Sequence, residues 1–357
     1  MNNKIEKHLA ELDALASEDK ISVQENAFKK MVPRRYKLAV PLSKIGNWVP
    51  NSNLTPLTMS KILSFWKCPK SYQLRYEECL APKAPPEYLY FGTAFHRALE
   101  MHYKGKELSL IIDWIKTHTD TRESITLQGM LIGYLKKYQS ESIKPIATEK
   151  EFMGPLKNPL TGRSSRLFYL AGKIDLIYDS ADHHGSKWIM DHKTTQTLNQ
   201  NYTDSLWADI QNTIYVIAAR EFLGIPVWGS IQNVIVKAQI KQGQKETEDE
   251  FLARMVTKYE NPELMTHGLF HRIPILMEKP QVELAKREIW NVAHKIRECQ
   301  RCGEYGRQTS NCHTPGRSCK FYRICSTFEN PEVIRKEFVY KPPTEELSNG
   351  KNNDNNA

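Results

Sequence analysis

No apolar run among the 357 residues approaches the ~20 residues that a membrane-spanning helix needs, so no such helix is expected. The first residues, Met1-Asn2-Asn3-Lys4-Ile5-Glu6-Lys7-His8, are charged and lack the apolar stretch of a secretory signal, so a cytoplasmic location is expected. A Gly-x4-Gly-Lys-Ser/Thr phosphate loop is missing, which argues against ATP hydrolysis, and no internal repeat marks a solenoid or propeller. Cysteine is scarce, with seven in all, and an odd number in a cytosolic chain speaks against a disulfide framework.

What is present begins with charge. Lys and Arg outnumber Asp and Glu by 50 to 41, and a net charge of +9 favours an acidic partner, of which nucleic acid is the commonest. One segment, Lys29-Lys30-Met31-Val32-Pro33-Arg34-Arg35-Tyr36-Lys37, sets five cations around an aromatic and suits either a phosphate contact or a solvated loop. The cysteines are also unevenly placed. Cys68 and Cys79 stand in the first third, whereas Cys299, Cys302, Cys312, Cys319 and Cys325 fall within 27 residues, a distribution that favours metal ligation.

Periodicity divides the chain. Residues 1–50 read as an extension with a short amphipathic helix around Ile5, Leu9, Leu12 and Leu15. A helix is expected from Ser60 to Tyr76, interrupted at Pro69, and another from Tyr90 to Tyr103 with His96 in its first turn. Helical patterns follow at 107–118 and 125–141, then strands at 146–153, 167–178 and 187–194. Next comes a helix capped by Thr203 or Asp204 and ending near Gly224, which buries Trp207, Ile210, Ile214 and Ile217 on one face. A strand at 228–236 and helices at 248–260 and 281–302 complete the pattern, and everything after the 228–236 strand reads as helical. Helix, three strands, helix, strand implies an α/β core with a mixed sheet. The core is expected to span 51–330, and residues 331–357 read as a polar, disordered tail.

The chemistry centres on two short runs, Gly172-Lys173-Ile174-Asp175 and Ile189-Met190-Asp191-His192-Lys193, joined by the polar turn residues 179–186. A hairpin of this kind brings Asp175 and Asp191 together, and Lys193, two residues on, shares a face with Asp191. Two carboxylates and a lysine at a strand end form a hard-cation site beside a positive charge, the equipment for metal-assisted phosphodiester hydrolysis. Gln211 and Tyr215 are stacked at i,i+4 on the following helix and should border this site. His96 offers an imidazole that ligates Mn²⁺ and, less readily, Mg²⁺. Glu149 or Glu151 on the first strand can face the site as well.

Together, His96 in Gly-Thr-Ala-Phe-His, Asp175 in Gly-Lys-Ile-Asp, Asp191-His192-Lys193 and Gln211-Asn212-Thr213-Ile214-Tyr215 resemble the PD-(D/E)XK nuclease superfamily, in particular its RecB-like exonuclease branch. The resemblance covers about residues 55–330 and implies a restriction-endonuclease-like αβββαβ core with added helices. It implies that His96, Asp175, Asp191 and the backbone carbonyl of His192 hold Mg²⁺ or Mn²⁺, that Asp175, Asp191 and Lys193 are catalytic, and that Gln211 and Tyr215 contact the DNA backbone. The implied activity is a DNA exonuclease acting on ends or single strands in recombination, repair or phage DNA metabolism, working beside a recombinase, annealing protein or helicase. A silent nuclease fold that only binds DNA, and an RNA-processing nuclease, are the alternatives.

Cys-Pro near the start and Cys-x-Phe-Tyr-x-x-Cys near the end resemble the iron–sulfur staple of the same branch, which implies a [4Fe–4S] cluster on Cys68, Cys312, Cys319 and Cys325. Spacing alone does not separate this from zinc, and the six-residue gap between Cys312 and Cys319 is longer than in the relatives. Cys299-x2-Cys302 with Cys312 is the competing zinc set.

Overall fold

The computed structural model describes residues 49–342 apart from 85–86, 181–185, 261–267 and 315–316, so the expected N-terminal helix and the 29–37 basic segment lie outside the described residues. The chain opens with β1 (Thr55–Leu57), α1 (Met59–Lys67) and α2 (Pro69–Tyr72), which runs into a π turn over Gln73–Glu77. Thr58 caps α1 by accepting from the Lys61 N–H, and Pro69 sits in the first turn of α2, where its missing N–H costs nothing. After β2 (Leu80–Pro82) come α3 (Glu87–Tyr103), α4 (Leu108–His118) and α5 (Thr121–Lys137). His96 therefore sits mid-way along α3 and not in a first turn, because the helix begins before Tyr90.

The sheet is built from β1, β3 (Ile143–Lys157), β4 (Ser164–Ser180), β5 (Ser186–Thr195), β6 (Val227–Val236) and β7 (Phe270–Leu276). Its order is β1-β4-β5-β6-β7, with β3 paired to the other edge of β4. β1–β4 and β5–β6 are parallel, while β3–β4, β4–β5 and β6–β7 are antiparallel. This is the expected mixed sheet, compatible with a restriction-endonuclease-like fold. β7 was not expected from the sequence: Pro274 interrupts its run, and proline survives here because β7 is the last strand of the sheet order.

Between β5 and β6 the single expected helix is two, α6 (Gln200–Trp207) and α7 (Ile210–Ile217), each with its own cap, Asn199 and Asp209. The break leaves Trp207 51 % exposed instead of buried. α8 (Glu248–Glu260) and α9 (Lys279–Cys302) complete the core. α1, α7 and α9 cover one face, where Ile62, Ile214 and Ile289 pack with Ile177, Ile189 and Val234. α3, α4, α5 and α8 cover the other with Phe95, Ile115, Leu131 and Met255. Each such fully buried side chain contributes roughly 1.5–3 kcal/mol. α5 and α8 approach closely because Gly129 and Gly133 leave room for Met255 and Tyr259; a methyl at either position would overlap those side chains.

The final described segment holds a short pairing of β8 (His313–Thr314) with β9 (Arg317–Ser318), then α10 (Tyr322–Ser326), α11 (Pro331–Glu337) and β10 (Phe338–Tyr340). Residues 331–340, expected as part of a polar tail, are thus a helix and a strand. β10 pairs antiparallel with β2, and Phe338 joins Leu74, Phe321 and Ile324 in a satellite core. Among the described residues no helix is long and apolar enough to cross a membrane.

Candidate functional site

The β4–β5 ladder runs from Ser180–Ser186 to Leu176–Met190 and stops. Asp175 and Asp191 would pair next, and two carboxylates placed directly opposite each other repel. β4 instead meets β1 further along, through Phe168, Tyr169 and Leu170, so the edge between Leu170 and Leu176 is open. Side-chain alternation slips at the same point. Phe168, Leu170 and Ile174 share a core with Ile177, whereas Leu176 and Tyr178 pack in a separate cluster. Across from Asp175 on β3, between the Thr148–Leu176 and Lys150–Ile174 pairs, Glu149 adopts φ +48°. A left-handed glutamate inside a strand is uncommon and costly, and such strain clusters at functional sites.

His192 fills the place of the missing ladder partner. Its backbone N–H donates to Asp175 Oδ2 at 2.9 Å. The C=O of a strand residue points to the same edge as its N–H, so the His192 carbonyl also faces the opening. The His192 ring points to the opposite side, buried, with Nδ1 2.7 Å from Asn233 Nδ2 and the plane stacked on Tyr103. Burial first, and then the neighbouring His96, push its pKa down to about 3, so the ring is neutral.

On the α7 side, Asp191 is 2 % exposed. Lys193 Nζ lies 2.8 Å from its Oδ2 and donates to Gln211 Oε1 at 3.0 Å. The Gln211 amide nitrogen donates to Asp191 Oδ1 at 3.2 Å and to the Tyr215 hydroxyl at 2.8 Å. Gln211 is therefore a clamp on both members of the Asp191–Lys193 pair. Asp209 fixes the clamp by capping α7 through the Gln211 N–H at 2.9 Å. Burial opposes the Lys193 charge, but Asp191, with Asp175 and Asp209 behind it, raises the ammonium well above the ordinary lysine value. Tyr215 is only 8 % exposed, and burial followed by Asp191 and Asp175 holds its hydroxyl protonated.

His96 reaches the opening from α3, with Nδ1 3.5 Å from Asp175 Oδ2 and its ring edge-on to His192. One turn on, Glu100 accepts from Arg97 and Lys104, each at 2.7 Å. Burial, then Asp175, and more weakly Glu100 raise the Glu149 carboxyl, while its ion pair with Lys173 opposes them. Glu151 is exposed. The structure thus brings Asp175, Asp191, Lys193, His96, Gln211, Tyr215 and the His192 backbone together with Glu149, the one of the two strand glutamates that borders them, and adds Glu100 and Asp209. The sequence signals for the last two were position only: Glu100 four residues beyond His96, Asp209 two before Gln211.

Among the described residues no three His, Cys, Asp or Glu side chains form a ready-made metal site. His96 and Asp175 adjoin, whereas the Asp191 carboxylate is held by Lys193 and Gln211. The donor chemistry nevertheless fits a hard cation: two carboxylates, an imidazole and a free-edge carbonyl, with the buried Asp191 Oδ2 engaged by the Lys193 ion pair.

Folding brings Cys68 to the segment that holds Cys312, Cys319 and Cys325. The Cys325 thiol is pushed up by burial and then by the sulfurs of Cys319, Cys68 and Cys312, with Lys70 opposing. Cys299 instead responds, after burial, to Cys302 and Glu298. Main-chain and side-chain bonds tie the first group together: Gln308 N–H to Cys68 Sγ at 3.4 Å, Cys319 N–H to Cys312 O at 2.8 Å, and Asn311 Nδ2 to Lys67 O at 2.6 Å. All seven thiols are free of disulfides.

The model of the PD-(D/E)XK nuclease superfamily matches residues 56–326, which takes in His96, the splayed hairpin, α7 and all four cysteines of the first group. The chain belongs to this superfamily. Membership points to a metal-dependent nuclease. No curated protein matches the sequence. A solved structure described as "Crystal structure of SSO0001" is similar over 78 % of this chain and 89 % of its own, at 15 % identity and a TM-score of 0.33, a likeness too distant to carry an argument.

Proposed function

We propose that this PD-(D/E)XK protein is a divalent-metal-dependent DNA exonuclease. The observation that carries the reading is the clamp of Gln211 on Asp191 and Lys193, set at the point where β4 and β5 part beside Asp175 and His96. His96, Asp175, Asp191 and the His192 carbonyl would hold Mg²⁺ or Mn²⁺. When bound, the cation supplies positive charge to a scissile phosphate and lowers the pKa of a water.

Asp191, with Asp175 and Asp209 behind it, favours the charged form of Lys193 against its burial, which suits a hydrogen-bond donor. Lys193 orients water and offsets the charge that gathers on the phosphoryl oxygens. Gln211 keeps Lys193 on target, and the buried Tyr215 holds Gln211, which supports a positioning role for this pair more than a direct DNA contact. The basic balance of the chain suits a polyanionic substrate.

The test is digestion of end-labelled linear and covalently closed circular DNA with Mg²⁺ or Mn²⁺, beside RNA of the same sequence. Linear DNA should be degraded from its ends, circular DNA spared, and Lys193→Ala inactive. A purified Lys193→Ala protein that digests DNA as well as the parent ends this reading.

For the second centre we infer a [4Fe–4S] cluster on Cys68, Cys312, Cys319 and Cys325. The support is the fold, which brings Cys68 beside the 308–312 segment through the Gln308 and Asn311 bonds, joins Cys312 to Cys319 through the main chain, and sets their sulfurs close enough to raise the Cys325 thiol. Its place, joining α2 to the final segment, suits a structural role. A brown preparation with iron and labile sulfide supports the cluster, whereas a colourless protein carrying zinc replaces it with a zinc site.

A further inference from the structure

Beside the cysteine group, where α2, the end of α9 and the turn after α10 meet, lies a cavity of about 490 Å³. It is lined by Lys70, Gln73, Gly303, Tyr305, Arg307, Cys325, Phe328 and Glu329, and its size falls within the roughly 300–1,000 Å³ of small-ligand sites. Only one of the four cysteines borders it, so it is not the space that the proposed cluster would fill.

The unusual residue is Phe328. It is 88 % exposed, and it stands with Glu329 on a left-handed corner, at φ +52° and +61°. A corner that merely turns the chain uses Gly or Asn; an aromatic residue there costs about 1–2 kcal/mol in backbone strain alone. The corner is rigid. Thr327 N–H donates to Arg323 O at 3.1 Å, Glu329 N–H to Ile324 O at 2.8 Å and Asn330 N–H to Thr327 O at 3.2 Å, and Pro331 starts α11 immediately afterwards. The chain therefore holds a phenyl ring out in water, in a strained and fixed conformation, on the wall of a cavity whose lining includes a second aromatic, Tyr305.

The charges around the two rings narrow the ligand. Lys70 is occupied, 2.5 Å from Glu329 and 2.9 Å from Gln73 Oε1. Arg307, the other cation of the lining, is the one that faces an anion in this reading. Glu329 pairs with Lys70 through Oε1, and its second carboxylate oxygen can accept from an amino group. Tyr305 already stacks on Tyr72, with ring centroids 6.5 Å apart, so a base would meet its other face. Two aromatic side chains in one lining, a carboxylate acceptor and one guanidinium match an unstacked nucleotide: base against a ring, phosphate on Arg307.

We propose that this cavity binds one nucleotide of a DNA single strand, by stacking on Phe328 and Tyr305, as a contact separate from the cleavage site. The choice of DNA rests on the nuclease reading; the stacking chemistry does not. Binding is measured in EDTA, which prevents cleavage, by fluorescence anisotropy of labelled single-stranded and duplex oligonucleotides with the full chain. Phe328→Ala and Tyr305→Ala should each weaken single-strand binding about tenfold and leave duplex binding unchanged, as expected for loss of one stacking surface. Phe328→Trp should keep the affinity, and ultraviolet crosslinking of a 5-iodouracil strand should label Phe328 or Tyr305. Hydrolysis of a small phosphodiester by Phe328→Ala should equal that of the parent.

Single-strand affinity unchanged in both alanine variants, or lost equally for duplex, overturns the proposal, as does preferential binding of the matching RNA strand. The two readings separate cleanly. An active enzyme with unaffected Phe328→Ala binding sinks the pocket alone, and stacking-dependent binding without cleavage sinks the nuclease alone.

Discussion

Replacing Gln211 with alanine tests the clamp directly. The change removes the acceptor of the 3.0 Å bond from Lys193 and the donor of the 3.2 Å bond to Asp191 and the 2.8 Å bond to Tyr215. The first two involve charged groups and are worth about 1.5–3 kcal/mol each in isolation. Because Lys193 and Asp191 keep each other, the net destabilisation should be about 2–4 kcal/mol, which lowers Tm by roughly 5–10 °C for a domain of this size. The larger effect is kinetic. Lys193, held only by Asp191, can swing away from the phosphate, and a misplacement near 1 Å costs on the order of 10²-fold. In divalent-dependent cleavage of labelled linear DNA, kcat should therefore fall about a hundredfold while KM stays within about threefold. Scanning calorimetry checks the stability half. A Gln211→Ala enzyme within about threefold of parental kcat would show that Lys193 needs no clamp, and the positioning argument would fail.

Tyr215→Phe loses a single neutral hydrogen bond of about 1 kcal/mol, so it should melt slightly lower and retain most activity in the same assay. Gly133→Ala forces a methyl into Tyr259 across the α5–α8 contact and should cost about 1–3 kcal/mol by urea denaturation, with activity per folded molecule unchanged. Cys68→Ser should strip iron and colour as measured by visible absorbance, whereas Cys79→Ser, outside the sulfur group, should keep both. His192 binds a proton near pH 3 when folded and near pH 6.5 when unfolded. Between those values the unfolded chain holds the extra proton, so stability should fall as pH drops from about 6.5 toward 3. A His192→Gln variant should show a shallower decline in urea midpoint over that interval.

The hairpin was legible because its signals are local: alternating apolar residues on both sides of a polar turn, with Asp191 and Lys193 two apart. The i,i+4 pairing of Gln211 and Tyr215 was legible for the same reason, and the structure joins them by a hydrogen bond. What local pattern cannot carry is where a ladder stops. The parting at Asp175 arises from β4 serving two partners along one edge, and the left-handed Glu149 follows from that tertiary pairing. β7 stayed hidden because Pro274 reads as a breaker until the strand is known to end the sheet order. The split at Ala208-Asp209 contains neither glycine nor proline, and the cap only shows its purpose once Gln211 is seen in the site. Spacing left two cysteine sets in competition, and no local pattern carries the contact that brings residue 68 to residue 308, 240 positions away.

The pairing of β10 with β2 has a consequence for how the molecule is made. Leu80, Ala81 and Pro82 leave the ribosome early, yet their partners Tyr340, Val339 and Phe338 leave it among the last described residues. Throughout synthesis the β2 edge and the Leu74 side of the satellite core stay uncovered, a waiting surface of the kind that chaperones hold and neighbouring chains capture. Strands β3 to β7 all emerge between the two partners, and the β2–β10 seam forms only after Phe338 has followed them.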